Sequence, residues 1–186
     1  MRGSAEIVGR PVLCFHRLKV IFLRSIIHLV ALPLKVRLTE EEQLKIEGNY
    51  TFNAPRQRVW EVLLDPRVMA QCMPGCESMN EVAPDQFEAI MKVGVASVKG
   101  TYKGKVSIKE KQPPSHYVLS GQGTGGPGFM QGDVAIDLEE AGGQTVLKYS
   151  TDAKVGGLIA SVGQRMLNGV AKMMVDQFFK KMEFFI

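Results

Sequence analysis

GGLIASVGQRMLNGVAKMMVDQFFKKMEFFI, residues 156–186, is the stretch whose reading decides the fold. At helical spacing Leu158, Ile159, Val162, Met166, Val170, Met173, Met174 and Phe178 share one broad face. Arg165, Asn168, Lys172, Asp176 and Lys180 form the opposite stripe. The pattern predicts a C-terminal helix of roughly 28 residues, about 42 Å long at 1.5 Å per residue. A helix of that length takes most of its stability from an apolar surface to lie against. Gly156, Gly157, Gly163 and Gly169 sit in it or at its start, and an interior glycine costs about 1 kcal/mol relative to alanine. Such a cost points to close backbone packing, or to room left for something else.

The middle of the chain supplies that surface. From Glu77 onward the apolar period is two, not 3.6. Glu77–Val82 reads as a short strand before the turn at Pro84-Asp85. Phe87, Ala89, Met91, Val93 and Val95 line one face of the next strand, with Glu88 and Lys92 opposite. In Val98–Glu110, Tyr102, Gly104, Val106 and Ile108 alternate with Lys103, Lys105, Ser107 and Lys109. His116–Gly121, Phe129–Leu138 and Thr145–Lys154 complete the series, and Gly121–Gly128 reads as a glycine-rich loop. The connections hold turn residues and no crossover helices, so the strands form an antiparallel meander with one apolar face.

Upstream, Leu44, Ile46, Tyr50 and Phe52 keep period-two spacing through Gly48 and predict a first strand. Pro55 suits a first helical position. Val59–Leu64 and Arg67–Cys72 give two short helices, the first stopped by Asp65-Pro66 and the second by Met73-Pro74-Gly75. The expected fold is α+β: a curved antiparallel sheet of about seven strands wrapped around the long helix. Such a sheet can leave an apolar cavity between itself and the helix.

The chain divides at about residue 43. Residues 1–43 read as an N-terminal extension, and 44–186 as the folded domain. Of the formal net charge of +4, residues 1–38 carry seven Lys/Arg against one acid, and the remainder sixteen against eighteen. The basic balance therefore belongs to the tail, and the domain lacks the basic face that nucleic-acid binding requires. Ser25–Leu34, the longest uncharged run of the tail, is too short to span a bilayer. Arg17, Arg24 and His28 can share one side of a helix lying on a membrane surface. A disordered tail, or an extension from an upstream start codon, is the alternative. Cys14, Cys72 and Cys76 make no disulfide framework and no zinc ligand set, consistent with reduced thiols in a cytoplasmic protein.

Catalytic motifs are faint. The loop Gly121–Gly128 lacks the Gly-Lys-Ser/Thr end of a phosphate loop, and a strand follows it where a helix should. His116 has no partnering Ser or Cys at a recognisable spacing, and no carboxylate pair stands out as an acid/base couple. Methionines are the distinctive feature. Met166, Met173 and Met174 on the helix, with Met91 and Met130 on strands, offer soft, adaptable walls.

The order of elements and several local motifs resemble a known family. Gly48-Asn49-Tyr50-Thr51-Phe52-Asn53-Ala54-Pro55 with Val59-Trp60, then Asp65-Pro66 and Met73-Pro74-Gly75-Cys76, are part of the match. Gly100-Thr101-Tyr102-Lys103-Gly104, Gly125–Gly132, Tyr149–Gly157 and Gln177-Phe178-Phe179 complete it. From Leu44 to about Phe185 the chain resembles the carbon monoxide dehydrogenase CoxG family, of the helix-grip superfamily that includes START domains. The resemblance implies a non-enzymatic accessory protein to a molybdenum hydroxylase of the carbon monoxide dehydrogenase type. It implies no cofactor or metal of the chain's own, and an apolar ligand, lipid-like or quinone-like, in the cavity. It also implies a cytoplasmic location, with peripheral contact at the inner face of the cell membrane. Phe87, Met91, Tyr102, Phe129, Leu158, Met166, Val170 and Met173 are the expected ligand-binding residues. Two alternatives stand beside this reading. One is a cyclase- or dehydratase-like enzyme, for which Tyr102 and His116 are the acid/base candidates. The other is a docking protein with a filled core.

Overall fold

The structure, a computed structural model, describes residues 41–95 and 98–186. Of the N-terminal extension expected over residues 1–43, residues 1–40 lie outside the described residues, and 41–43 open the first strand. Strands β1 (Glu41–Phe52), β2 (Cys76–Ala83), β3 (Gln86–Val93), β4 (Gly100–Gln112), β5 (His116–Gly125), β6 (Gly128–Ala141) and β7 (Gln144–Gly157) form one curved antiparallel sheet. Their order is β1-β7-β6-β5-β4-β3-β2, a meander from β2 to β7 with β1 added beside β7. Helices α1 (Arg56–Leu64) and α2 (Pro66–Cys72) follow β1, and α3 (Gln164–Met182) follows β7.

Local chemistry explains the short helices. Pro55 leads into α1, which buries Val59, Trp60, Val62 and Leu63. The Asp65 carboxylate accepts from the Arg67 backbone N–H at 2.8 Å and caps α2, whose first residue is Pro66. Along each strand alternate residues face α3 and solvent. Leu44 and Phe52 of β1, Phe87 and Ala89 of β3, Ile136 and Leu138 of β6, and Leu147, Ala153 and Val155 of β7 are buried on the inner face. The exposed Lys103, Lys105, Gln122, Gln131, Asp152 and Lys154 mark the outer one.

Two segments depart from the reading of the sequence. The C-terminal helix begins at Gln164 instead of near Gly156 and has 19 residues, about 28 Å. Residues 155–157 extend β7 instead, pairing with Met130, Phe129 and Gly128. Gly157 (φ 81°) and Gly163 (φ 84°) then take left-handed backbone that an α-helix cannot use, with a single 3₁₀ turn at Ala160–Val162 between them. The buried face of α3 is also rotated from the expected one: it carries Leu167, Val170, Ala171, Val175, Phe178, Phe179 and Met182. Gly121–Gly128 is mostly strand. Gly121–Gly125 ends β5 and Gly128 opens β6, leaving Gly126-Pro127 as the turn.

Candidate functional site

The register collects small residues in the middle of the inner face. Ala89, Gly104 and Gly123 form one cross-strand row with Met130 and Val155. Phe87, Val106, Gly121, Gly132 and Ala153 form the next. Four neighbouring positions on β4, β5 and β6 thus present bare backbone toward α3. A Cβ built on Gly121 or Gly123 would meet no described side chain within 4 Å, only a carbonyl oxygen of the neighbouring strand at 4.0 or 3.9 Å. Side chains pack wherever they can in a protein interior. Over Gly121 and Gly123 the inner face is thus left uncovered at close range.

The packing on either side shows a divided core. One cluster joins Phe52, Trp60, Tyr117, Ile136, Leu138, Leu147, Phe179 and Met182; the other joins Leu44, Val98, Ala153, Val155, Ile159 and Leu167. Between them the inner-face side chains of Val106, Leu119 and Val134 are half-buried. Along β6 the inner face is sealed at one end, with Leu138 2% and Ile136 5% exposed, and open at the other, where Met130 is 51% exposed. The inner face is thus open at the Met130 end.

Of the eight ligand-binding residues expected from the sequence, three line this face. Phe87 is buried beside Val106, and Met91 pairs with Tyr102 across β3 and β4. The Tyr102 ring covers Gly125, and its hydroxyl donates to the Val98 carbonyl at 2.7 Å. Val170 of α3 packs on the Leu44–Leu167 cluster, and Met166 is half-buried one turn earlier. The other three are placed elsewhere. Phe129 pairs with Thr124 and Gly156, so the register turns it to the outer face, its ring against Gly156. Leu158 is 68% exposed in the connector, and Met173 is 39% exposed on the wet side of α3. The shift of the strand–helix boundary displaces Leu158, and the rotated buried face of α3 leaves Met173 outside.

The glycine floor and Met130 were not among the expected ligand-binding residues. The signal was present, because Gly121, Gly123 and Gly125 recur at period two and so share a strand face. Reading them as a loop hid it.

The ionisable groups on and around the inner face are mostly committed to neighbours. Burial raises the Tyr102 phenol, which is already committed to Val98. Tyr149 is raised by burial first and then by the Asp176 charge. His116 lies on the outer face, its Nδ1 2.7 Å from the Asp137 carboxylate across β5 and β6. Cys72 and Cys76 are free thiols, each pushed up chiefly by burial. A broad groove of about 740 Å³ runs across the outer face, but Gln43, Gln122, Gln131, Lys105, Asp152 and Lys154 line it. Amides and charges hold water there, so it does not suit an apolar molecule. Among the described residues no helix is long and apolar enough to cross a membrane.

A curved antiparallel sheet with one long C-terminal helix on its inner face defines a helix-grip domain of the START type. The chain belongs to the carbon monoxide dehydrogenase CoxG family, whose model matches residues 48–185. Among solved structures, a conserved protein from Geobacillus kaustophilus is 38% identical with a TM-score of 0.74, over 75% of this chain and 93% of that one. A START superfamily protein from Mycobacterium smegmatis is 12% identical, with a TM-score of 0.59 over 75% of this chain and 94% of that one. The Zhui aromatase/cyclase from Streptomyces sp. R1128 is 18% identical, with a TM-score of 0.56 over 76% of this chain and 92% of that one. The last two likenesses speak to the fold alone. No curated protein matches the sequence.

Proposed function

We propose that this chain binds an apolar small molecule, lipid-like or quinone-like, over the glycine floor between sheet and α3. In this role it serves as an accessory protein to a carbon monoxide dehydrogenase-type molybdenum hydroxylase. One observation carries the binding reading: no described side chain comes within 4 Å of where a Cβ on Gly121 or Gly123 would stand, in a fold with two separate core clusters. The walls are Phe87, Val106, Leu119, Val134 and the thioethers of Met91 and Met130, so affinity comes from apolar burial, about 25 cal/mol per Å² before ordering costs. The family name supports the accessory role and the partner. Peripheral membrane contact in the cytoplasm fits that role.

The aromatase/cyclase neighbour keeps an enzymatic reading in view, but the site favours binding. His116 lies on the far face, and the Tyr102 hydroxyl is already bonded to a carbonyl. Solvent extraction of the purified full chain, followed by mass spectrometry, tests the binding reading. A co-purifying lipid or quinone, or saturable uptake of a fatty acid or quinone, is the expected result. A chain that arrives empty and takes up neither would end it. Co-purification with a molybdenum hydroxylase from the source cell tests the partner separately.

A further inference from the structure

We propose that β1 pairs edge to edge with the β1 of a second copy of this chain. The two domains then share one continuous sheet, across a two-fold axis at Ile46. The interface is independent of what the inner face binds.

The sheet ends in two unlike edges. β2 is short, and its pairing with β3 slips between Cys76 and Ser78 and again between Glu81 and Ala83. Such irregularities blunt an edge against further pairing. β1 keeps one unbroken register with β7 over its 12 residues, Glu41–Phe52, and contains no proline. A long regular edge of this kind is a template for another strand.

The ladder fixes which backbone groups of β1 are free. Just beyond the start of β5, the Leu138 N–H donates to the Ser115 carbonyl at 2.8 Å, so even residues of β6 bond toward β5. N–H and C=O groups alternate between the two edges of a strand. Carried through the registers of β6, β7 and β1, that alternation turns the even residues of β1 toward β7 and the odd ones to the free edge. The Gln164 amide agrees, because its Nε2 donates to the Gln43 carbonyl at 2.7 Å from outside the ladder. Among the described residues no other hydrogen bond reaches that edge. A carbonyl has a second lone pair, so Gln43 can still accept from a neighbouring strand.

The side chains select the partner. Glu41, Gln43, Lys45, Glu47, Asn49 and Thr51 are all exposed on the outer face. A two-fold at Ile46 sets Lys45 directly opposite the second copy's Glu47, and Glu47 opposite the second copy's Lys45. In the same register Gln43 meets Asn49, amide to amide, and Glu41 meets Thr51. Ile46, half-buried at the margin of the Leu44–Leu167 cluster, meets its own twin. Opposite charges directly across a strand pair stabilise it, and like charges destabilise it. An axis on Lys45 or on Glu47 would set that charge against itself, and one on Leu44 would set Glu41 against Glu47. An axis on Gly48 would leave both charges facing neutral residues. Lys45 is free to turn to the second copy, because it reaches Asp152 only at 3.5 Å with both side chains more than half exposed. Glu47 has no ion pair among the described residues. The edge is therefore complementary to itself, as a two-fold contact requires.

Sedimentation velocity on the full chain over a concentration series tests this. The parent should show a monomer–dimer equilibrium. Lys45→Glu and Glu47→Lys each set like charges opposite one another, and each should weaken the dimer roughly tenfold or more. Mixed together, the two variants should form a heterodimer of parental strength, because each supplies the charge that the other lacks. Both positions are exposed, so circular dichroism should show the parental fold in each. Hydrogen exchange gives a second readout: the amides of Gln43, Lys45, Glu47 and Asn49 should exchange freely in the monomer and be protected in the dimer. A parent that stays monomeric at every concentration overturns the pairing. So does a dimer that neither variant weakens, or a mixture that does not reassociate. Protection of those amides in the monomer would mean that the chain covers its own edge, and the proposal fails there too.

Discussion

The two ends of the sheet's inner face are built by opposite rules. At the α1–α2 end, aromatic rings close the space: Trp60 meets Tyr117 edge-on at 5.4 Å, and Tyr50, Phe52 and Phe179 form a contiguous group. At the turn end, glycines take the corresponding inner positions of β4, β5 and β6, and Met130 stands half in solvent. The closed end gains stability by filling volume. The open end forgoes that filling, and the same β6 strand runs through both. A domain can specialise one end for folding and the other for a ligand, because burial energy is local to the atoms that touch.

The largest expected effect tests the closed end. Phe179→Ala should cost about 3–5 kcal/mol by urea unfolding, as loss of a buried ring does. Met173→Ala, on the wet side of the same helix, should stay within about 0.5 kcal/mol. Equal costs would mean that α3 is not gripped as described.

The floor comes next. Gly123→Leu should leave the chain folded and reduce uptake of an apolar probe at least tenfold, a loss of about 1.4 kcal/mol in binding, measured by fluorescence titration. Gly132→Val should behave differently. Its Cβ would stand 2.6 Å from that of Ala153, so about 1–3 kcal/mol of stability should go, with overpacking as the cause. If both variants merely destabilise, the space above Gly123 is not free.

A smaller effect separates the ends by pH. The Tyr50 phenol is raised to about 12, by burial first and then by its hydrogen bond to Glu183 and that carboxylate's charge. A raised pKa means that the neutral form is favoured in the fold. Its contribution is complete below the unfolded value of 10.0 and is lost as pH rises toward 12. Tyr50→Phe should flatten that alkaline loss in urea midpoints.

The smallest effect lies on the outer face. Asp152 is lowered by the Gln43 amide first and then by the nearby Lys45. Its contribution is therefore present above the unfolded carboxylate value and lost as pH falls through the folded one. Both partners are exposed, so Asp152→Asn should barely change the acid limb of the same curve.

Much of the closed end was legible in the residues. The period-two spacing of Tyr50 and Phe52, the helix stop at Asp65-Pro66, and the apolar run Val59–Leu64 each follow from local spacing. The open end was read less well. Leu158, Ile159 and Val162 fit a helical stripe as sequence, yet Val155, Gly156 and Gly157 gain ladder hydrogen bonds to β6 that no helix at this point could match. Leu158 lies at the surface for that reason. Phe129 sits on the outer face because its own strand alternates: Gln131, Asp133 and Asp137 share its parity, opposite the buried Ile136 and Leu138.

The sequence by itself determined the elements, the antiparallel sheet, the single C-terminal helix and the family, because periodicity and turn chemistry are local properties. Only the tertiary structure decided where β7 yields to α3, and that Gly104, Gly121, Gly123 and Gly132 lie side by side on one face. Those facts depend on cross-strand register, and register depends on pairing energies between residues far apart in the chain.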